Sequence, residues 1–390
     1  MLQLPIYMDY HATTPCDPRV LEAMLPYFTR QFGNAGSKGH LFGWQAAEAV
    51  QIAREEIASL VHAEPTEIIF TSGATESINL ALKGVFETMH GKGSHIVTVT
   101  TEHPGVLDTC NHLEKMGAEI SYLPVDSEGL IDLDVLKSVI RRETILIAVM
   151  YANNETGVIQ PVKSIGEIAK EHGILFFTDA TQALGKIPID VMGDEIDLLA
   201  CSAHKIYGPK GSGALYVRRK NPRVRLTAQL DGGGQERGFR SGTLNVPGII
   251  GFGKAAELAT QEMKVNMETV CLLRDKLEHA LLQLRGATLN GHRLKRLPTV
   301  SNMSFGHTSG KRLLEGLLKE IALSSGSACS SASLLPSHVL KAMGHNDETA
   351  FQSIRFSLGK YNTAEEVDYV IEKVGSTLRA IGSEYANSYF

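Results

Sequence analysis

Between about residues 65 and 220 the chain repeats one pattern. A short apolar run is followed by a stretch with helical spacing, and then by another run. The runs are EIIFTSG, HIVTVTTEH, EISYLPV, TILIAVMYANNE, ILFFTDA, IDLLACSAHK and GALYVRR. Their apolar parts have strand length, and they are rich in β-branched and aromatic residues, so each reads as a buried strand rather than a helix. Helical patterns such as Glu76–Phe86 and Ile165–His172 lie between them. Strand–helix alternation predicts an α/β fold, with a mostly parallel sheet and helices on both faces.

After about residue 250 the pattern changes. A long helical stretch covers roughly Gly251 to Leu284, then comes strand-like LPTVSNMSF and a helix near Gly310–Lys319. SIRFSLG is a further strand and Ala364–Ile381 is helical, which together describe a smaller α+β domain. A chain of 390 residues exceeds what one core usually serves, so two domains are expected. The large domain is expected over 16–256, and residues 1–15 are expected to join 257–390 in the smaller one.

Several function classes are excluded early. A net charge of -5 gives no electrostatic case for nucleic acid or an anionic membrane. No apolar run reaches the length of a membrane span. The five cysteines are far apart and form no CxxC pair, which argues against a disulfide framework and against a structural zinc site. The opening MLQLPIYMDY lacks the features of a secretory leader, so a reduced, cytoplasmic compartment is expected.

The residues just after each strand carry the chemistry. EIIF leads into Thr71-Ser72-Gly73-Ala74-Thr75-Glu76, and IVTVT into Glu102-His103. LIAVMYA leads into Asn153-Asn154-Glu155, ILFFT into Asp179-Ala180-Thr181-Gln182, and DLLA into Cys201-Ser202-Ala203-His204-Lys205. Open parallel sheets bind ligands outside the carboxyl ends of their strands. One such polar cluster is ordinary turn chemistry; five on successive strands predict a site.

The ligand class emerges by comparison of motifs. No GxGxxG follows an early strand, no HExxH occurs, and GHTSGKR at 306–312 has one residue too few between its glycines for a phosphate-binding P-loop. The groups suit pyridoxal phosphate, which needs a Schiff-base lysine, an acidic partner for its pyridinium nitrogen and donors for its phosphate. Lys205 at a strand end suits the first role, with Lys210 as its competitor. Asp179 suits the second, unless it only caps the next helix. Gly73-Ala74-Thr75 enters a helix whose free N–H groups favour an anion, and Ser202 and His204 add donors. His103 stands where it would stack on the ring or move protons.

On these residues the chain resembles the cysteine desulfurases of the IscS/NifS type, within the class V aminotransferase-like, fold type I enzymes. The matching stretches include DYHATTP at 9–15, FTSGATES at 70–77, TEHPGVLD at 101–108, NNETGV at 153–158, TDATQALGK at 178–186 and SAHKIYGPKG at 202–211. GGGQERGFRSGT at 232–243, SSGSACSSASLLPSHVL at 324–340 and SIRFSLG at 353–359 extend the likeness over nearly the whole chain. The resemblance implies Lys205 as the Schiff-base lysine, His103 stacked on the cofactor and Asp179 paired with the pyridinium nitrogen. It implies Gln182 and Asn154 near the cofactor's phenolic oxygen and the substrate, and Ala74, Thr75, Ser202 and His204 around the phosphate. Thr243 would reach the phosphate of a neighbouring subunit, which implies a homodimer. Arg355 would hold the substrate carboxylate, with Asn34 nearby. The family usually has Asn-Pro where this chain reads Asn34-Ala35, which leaves that loop freer.

The resemblance also accounts for Cys329, which sits among serines, alanine and glycine in SSGSACSS. It implies that Cys329 attacks the sulfur of L-cysteine, leaving L-alanine and a persulfide that passes to an iron–sulfur scaffold protein or a tRNA-thiolation protein. A thiol that attacks in a pocket and delivers outside needs a pliant stretch, and small residues supply it. His103 is the expected base for that thiol. The chain ends at Phe390, short of the C-terminal tail by which longer members dock the scaffold. Two other readings stand beside this one: a selenocysteine lyase or transaminase of the same family that does not need Cys329, and a non-catalytic partner in sulfur-carrier assemblies.

Overall fold

A computed structural model describes residues 2–306, 310–325 and 335–387. The strands are β1 (Ile6–Tyr7), β2 (Ile68–Thr71), β3 (His95–Val99), β4 (Glu119–Leu123), β5 (Thr144–Ala148), β6 (Leu175–Asp179), β7 (Leu198–Ser202) and β8 (Gly213–Val217). They continue with β9 (Ala287–Asn290), β10 (Val300–Phe305), β11 (Ile321–Ala322), β12 (Ser324–Ser325) and β13 (Ser353–Ser357). All seven apolar runs of the first half form strands, and all seven join one sheet in the order β2-β8-β7-β6-β5-β3-β4.

Neighbours β4, β3, β5, β6 and β7 pair in parallel, while β8 runs antiparallel to both β7 and β2. Six of the seven strands therefore point the same way. Alternate residues feed two cores, one on each face of the sheet. Phe70, Val97, Ile147, Phe176 and Leu199 enter one. Ile69, Ile96, Leu146, Phe177 and Leu198 enter the other. Burial on both faces explains why these strands read as continuous apolar runs rather than alternating ones.

The second unit is a four-stranded sheet, β12-β13-β10-β9, packed against helices. Its core holds Met303, Phe305, Ile354 and Phe356 from the sheet, and Val367, Val370 and Val374 from the helix Ala364–Asn387. Ile6 and Met8 join this core, because β1 pairs in parallel with β11. The helix Val246–Leu282 serves both units: Ile249, Phe252 and Leu258 pack on the large core, whereas Val270, Leu277 and Leu281 pack on the second. Residue 256 thus falls inside a continuous helix. Among the described residues no helix is long and apolar enough to cross a membrane.

β2 is an edge strand, and its open backbone is covered by a side chain. Glu236 accepts from Phe70 N at 2.8 Å and from Arg54 at 2.6 and 2.8 Å. The Arg54 guanidinium also lies 4.5 Å from the centre of the Phe70 ring. Arg54 and Glu236 are both buried, so neither charge has water to fall back on. Glu236→Ala is expected to destabilise the protein by about 3–5 kcal/mol, because it strands a buried guanidinium and an edge N–H. Denaturant unfolding of wild type and variant measures this; a loss below about 1 kcal/mol would mean that the pair does not hold the edge.

Candidate active site

Because six strands share one direction, the turns after β2, β3, β5, β6 and β7 gather along one edge of the sheet. There they line a cleft of about 480 Å3, a size suited to a small cofactor. Ala74, Thr75, His103, Asn154, Asp179, Gln182, Ser202, His204 and Lys205 all border it, together with Arg355 from the second unit. Asn34 and Thr243 do not: both are exposed and lie outside the cleft of this chain. Cys329 lies outside the described residues.

The anion-binding corner is built by close backbone approach. The helix Ala74–Met89 starts after Gly73, and its first internal bond runs from Ser77 N to Gly73 O at 3.1 Å. Gly213 on β8 lies against it; a Cβ there would sit 2.5 Å from Gly73 Cα. The N–H groups of Ala74 and Thr75 precede that first bond, at the positive end of the helix dipole, and both residues line the cleft. Glu76 in the same turn is drawn aside by Arg240 at 2.7 Å and by Ser72 N at 2.8 Å. Lys205 and Lys210 border the same cleft and add positive charge. His204 is held to a pKa of about 4, chiefly by burial and then by Lys205 and Lys210, so its ring is a neutral donor.

His103 caps the helix Pro104–Lys115, its Nδ1 accepting from Gly105 N at 3.0 Å. That bond places the proton of the neutral ring on Nε2. Behind it, burial and the neighbouring Asp179 raise Glu102 well above the usual carboxylate range. Asp179 ends β6, and its Oδ1 accepts from Thr181 N at 2.9 Å.

The floor is supplied by the N-terminal segment. Lys205 Nζ donates to the carbonyls of His11 and Ala12 at 2.5 and 2.8 Å. Gln182 Nε2 donates to the same His11 carbonyl at 2.9 Å. The His11 ring donates from Nδ1 to Asn154 O at 3.2 Å and accepts at Nε2 from Thr299 at 2.8 Å. Burial, with Lys186 and Arg355 nearby, holds it neutral. Arg355 crosses from β13, donating to Asn154 O at 2.9 Å and to Asp9 Oδ1 at 2.7 Å.

The residues fit pyridoxal phosphate on structural grounds. Asn154 Oδ1 and Thr181 Oγ1 are buried beside the cleft without hydrogen-bond partners, which a bound polar group would supply. An anion corner, a carboxylate and a lysine amine open on the same space. Sequence reasoning assigned no role to Asp9, His11, Glu102, Glu155 or Lys186. DYHATTP flagged the first two as a motif, but their partners are over a hundred residues distant.

Comparison with known proteins agrees with this geometry. Residues 6–370 match the family model described as Aminotransferase class-V. The chain is 55% identical over 381 residues to the Cysteine desulfurase IscS of Anaeromyxobacter dehalogenans (strain 2CP-C), spanning 97% of this chain and 94% of that one. A solved NifS-like protein superposes with a TM-score of 0.90 at 40% identity, over 96% of this chain and 100% of that one. SspA in complex with cysteine superposes with a TM-score of 0.80 at 38% identity, over 92% and 100%.

Glu155 generates a pH prediction. Its carboxyl accepts from Ser337 Oγ at 2.5 Å, and burial raises its pKa from the ordinary 4.5 to about 7. The folded state therefore binds this proton more tightly than the unfolded chain. Its contribution to stability is complete below pH 4.5 and is lost as pH rises through about 7. Glu155→Gln, which cannot ionise, should gain stability relative to wild type over that window. Thermal unfolding of both proteins at pH 5 and pH 8 tests it; parallel curves would mean that Glu155 titrates normally.

Proposed function

We propose that this chain, which belongs to the class-V aminotransferase family, is a pyridoxal-phosphate-dependent cysteine desulfurase that converts L-cysteine to L-alanine. The observation that carries the reading is the convergence on a single cleft of Lys205 from the turn after β7, Asp179 at the end of β6 and Arg355 from β13 of the second sheet. Lys205 would hold the cofactor covalently, and Asp179 would pair with its ring nitrogen. Ala74, Thr75, Ser202 and His204 would hold its phosphate, and His103 would lie against its ring, with Asn154 and Gln182 donating at its edge. When bound, pyridoxal phosphate supplies an electron sink for the pair left at the substrate's Cα.

The chain's own groups do the rest. Arg355 would bind the substrate carboxylate and orient its Cα, while Asn34, exposed outside the cleft of this chain, is not placed to join it. The Lys205 amine would take and return the Cα proton. His103 would act as base for the Cys329 thiol once its Nδ1 lone pair is released from Gly105 N, because the capped neutral ring already carries its proton on Nε2. The Cys329 thiolate then attacks the substrate sulfur. An S–S bond forms, the substrate's C–S bond breaks, and the pair left on carbon takes a proton to give alanine. The outer sulfur of the Cys329 persulfide passes to an acceptor, an iron–sulfur scaffold protein or a tRNA-thiolation protein. The Cysteine desulfurase IscS relatives and the neighbour SspA in complex with cysteine support the reaction and the substrate.

We propose a homodimer in which Thr243 of each subunit reaches the phosphate of the other. Leu25, Phe28, Phe32, Phe42 and Trp44 are exposed, with the Phe32 and Phe42 rings packed together, which supports association. The free thiols of Cys16, Cys110, Cys201 and Cys271 support a reducing, cytoplasmic setting. The domain division we propose is 16–256 for the cofactor, with 1–15 and 257–390 as the unit carrying Arg355 and Cys329.

L-Alanine formation from L-cysteine with a reductant tests the reaction. Wild type should form alanine, whereas Lys205→Ala and Cys329→Ala should not. Equal alanine from Cys329→Ala would reassign the protein to a lyase that does not use this thiol. Arg355→Ala should weaken L-cysteine binding by about 1.5–3 kcal/mol through loss of a charge-assisted contact. Binding measured by titration of the holoenzyme reads this, and an unchanged Kd would remove Arg355 from the substrate site.

A further inference from the structure

We propose that Lys186 is a positioning residue that determines which end of the Gln182 amide faces the cleft. Lys186 is buried, and its Nζ donates to Gln182 Oε1 at 2.7 Å. The other end of the same amide, Nε2, donates to the His11 carbonyl at 2.9 Å. A carbonyl only accepts, so it requires the nitrogen end, and an amine that donates requires the oxygen end. Two independent partners thus select one orientation. A flipped amide would set oxygen against oxygen at the His11 carbonyl and would lose the Lys186 donation to Oε1.

The amide nitrogen carries two hydrogens, and His11 takes one. Gln182 borders the cleft, so its second N–H is the group left to serve a ligand there, while Oε1 is turned to Lys186. The cost of this arrangement lies in Lys186 itself. Among the described residues no carboxylate pairs with it, and the charged groups that act on it, Lys205 and Arg355, are both cations. Burial and those two cations push its pKa well below the usual lysine range. An apolar side chain of similar length would fill the space without that penalty. Among the described residues, the one hydrogen bond that the amine makes is the one that orients Gln182.

This inference rests on the pyridoxal phosphate reading. On that reading the donor end of Gln182 serves the cofactor's ring oxygen. A donor there favours the oxyanion and lowers the pH at which the holoenzyme's visible absorption changes.

The test is a pH titration of visible absorption in purified holoenzyme, with cofactor content measured separately. Lys186→Met and Gln182→Leu should each move the midpoint upward, by about half a pH unit or more. In the double variant Lys186→Met should add nothing to Gln182→Leu. A further shift in the double variant would mean that Lys186 acts by charge on Lys205 and not through Gln182, and would overturn the proposal. So would an unmoved midpoint in Lys186→Met. Lys186→Gln covers the case in which the methionine variant does not fold: it removes the charge but keeps a donor, and its midpoint should stay near wild type. A midpoint raised as far as that of Gln182→Leu would overturn the proposal. Wild type without visible absorption or bound cofactor would sink the cofactor reading instead, which keeps the two failures apart.

Discussion

Parallel strand pairing is the constraint on which this molecule depends. Strands that run the same way cannot be joined by tight turns; each needs a crossover that carries the chain back to the starting edge. Every crossover therefore begins at the same edge, and the turn that opens it lies there. Six strands with one direction bring five polar turns into a single cleft, though tens of residues separate them in the chain. β8 is the exception. It runs against its neighbours, and Gly213 on it lets the sheet close against Gly73 at the anion corner.

The second constraint is the N-terminal segment, which stitches the two units together. β1 pairs with β11, Asp9 bridges to Ser357 in β13, and Thr14 bonds back to His204. Between these ties the His11 carbonyl receives both Lys205 and Gln182. One backbone oxygen thus orients two side chains of the large sheet, while Asp9 and Asn154 O hold Arg355 of the smaller one. The site is assembled across two cores, and the segment that aligns them belongs by packing to the second.

The electrostatics of the cleft arise from this assembly. Lys205, Lys210 and Arg355 give it positive charge, matched to a phosphate and a carboxylate. Asp179 provides a carboxylate at the end of β6, and burial together with Asp179 raises the Glu102 carboxyl behind it well above the usual carboxylate range. The two histidines nearest the N-terminal segment, His11 and His204, are neutral because burial and the lysines disfavour a further cation.

Local pattern alone determined much of this protein. Apolar runs of strand length, punctuated by polar turns, were enough for the α/β sheet and for Lys205, Asp179, His103 and Asn154 as one site, because each lies within a few residues of a strand end. Arg355 was legible through its strand motif and the family likeness, since periodicity says nothing of what a distant strand faces. Tertiary structure decided the remainder. That His11 sits beneath Lys205, that Asp9 holds Arg355 and that Lys186 turns Gln182 depends on contacts between residues far apart in the chain, or on burial that no local window contains. Asn34 and Thr243 show the complementary case: this chain leaves both exposed and outside its cleft, so the fold of one chain lends their proposed roles no support. The physical reason is the same throughout. Backbone propensity and hydrophobic period act over a few residues, whereas orientation, charge and desolvation are fixed only when separate elements pack.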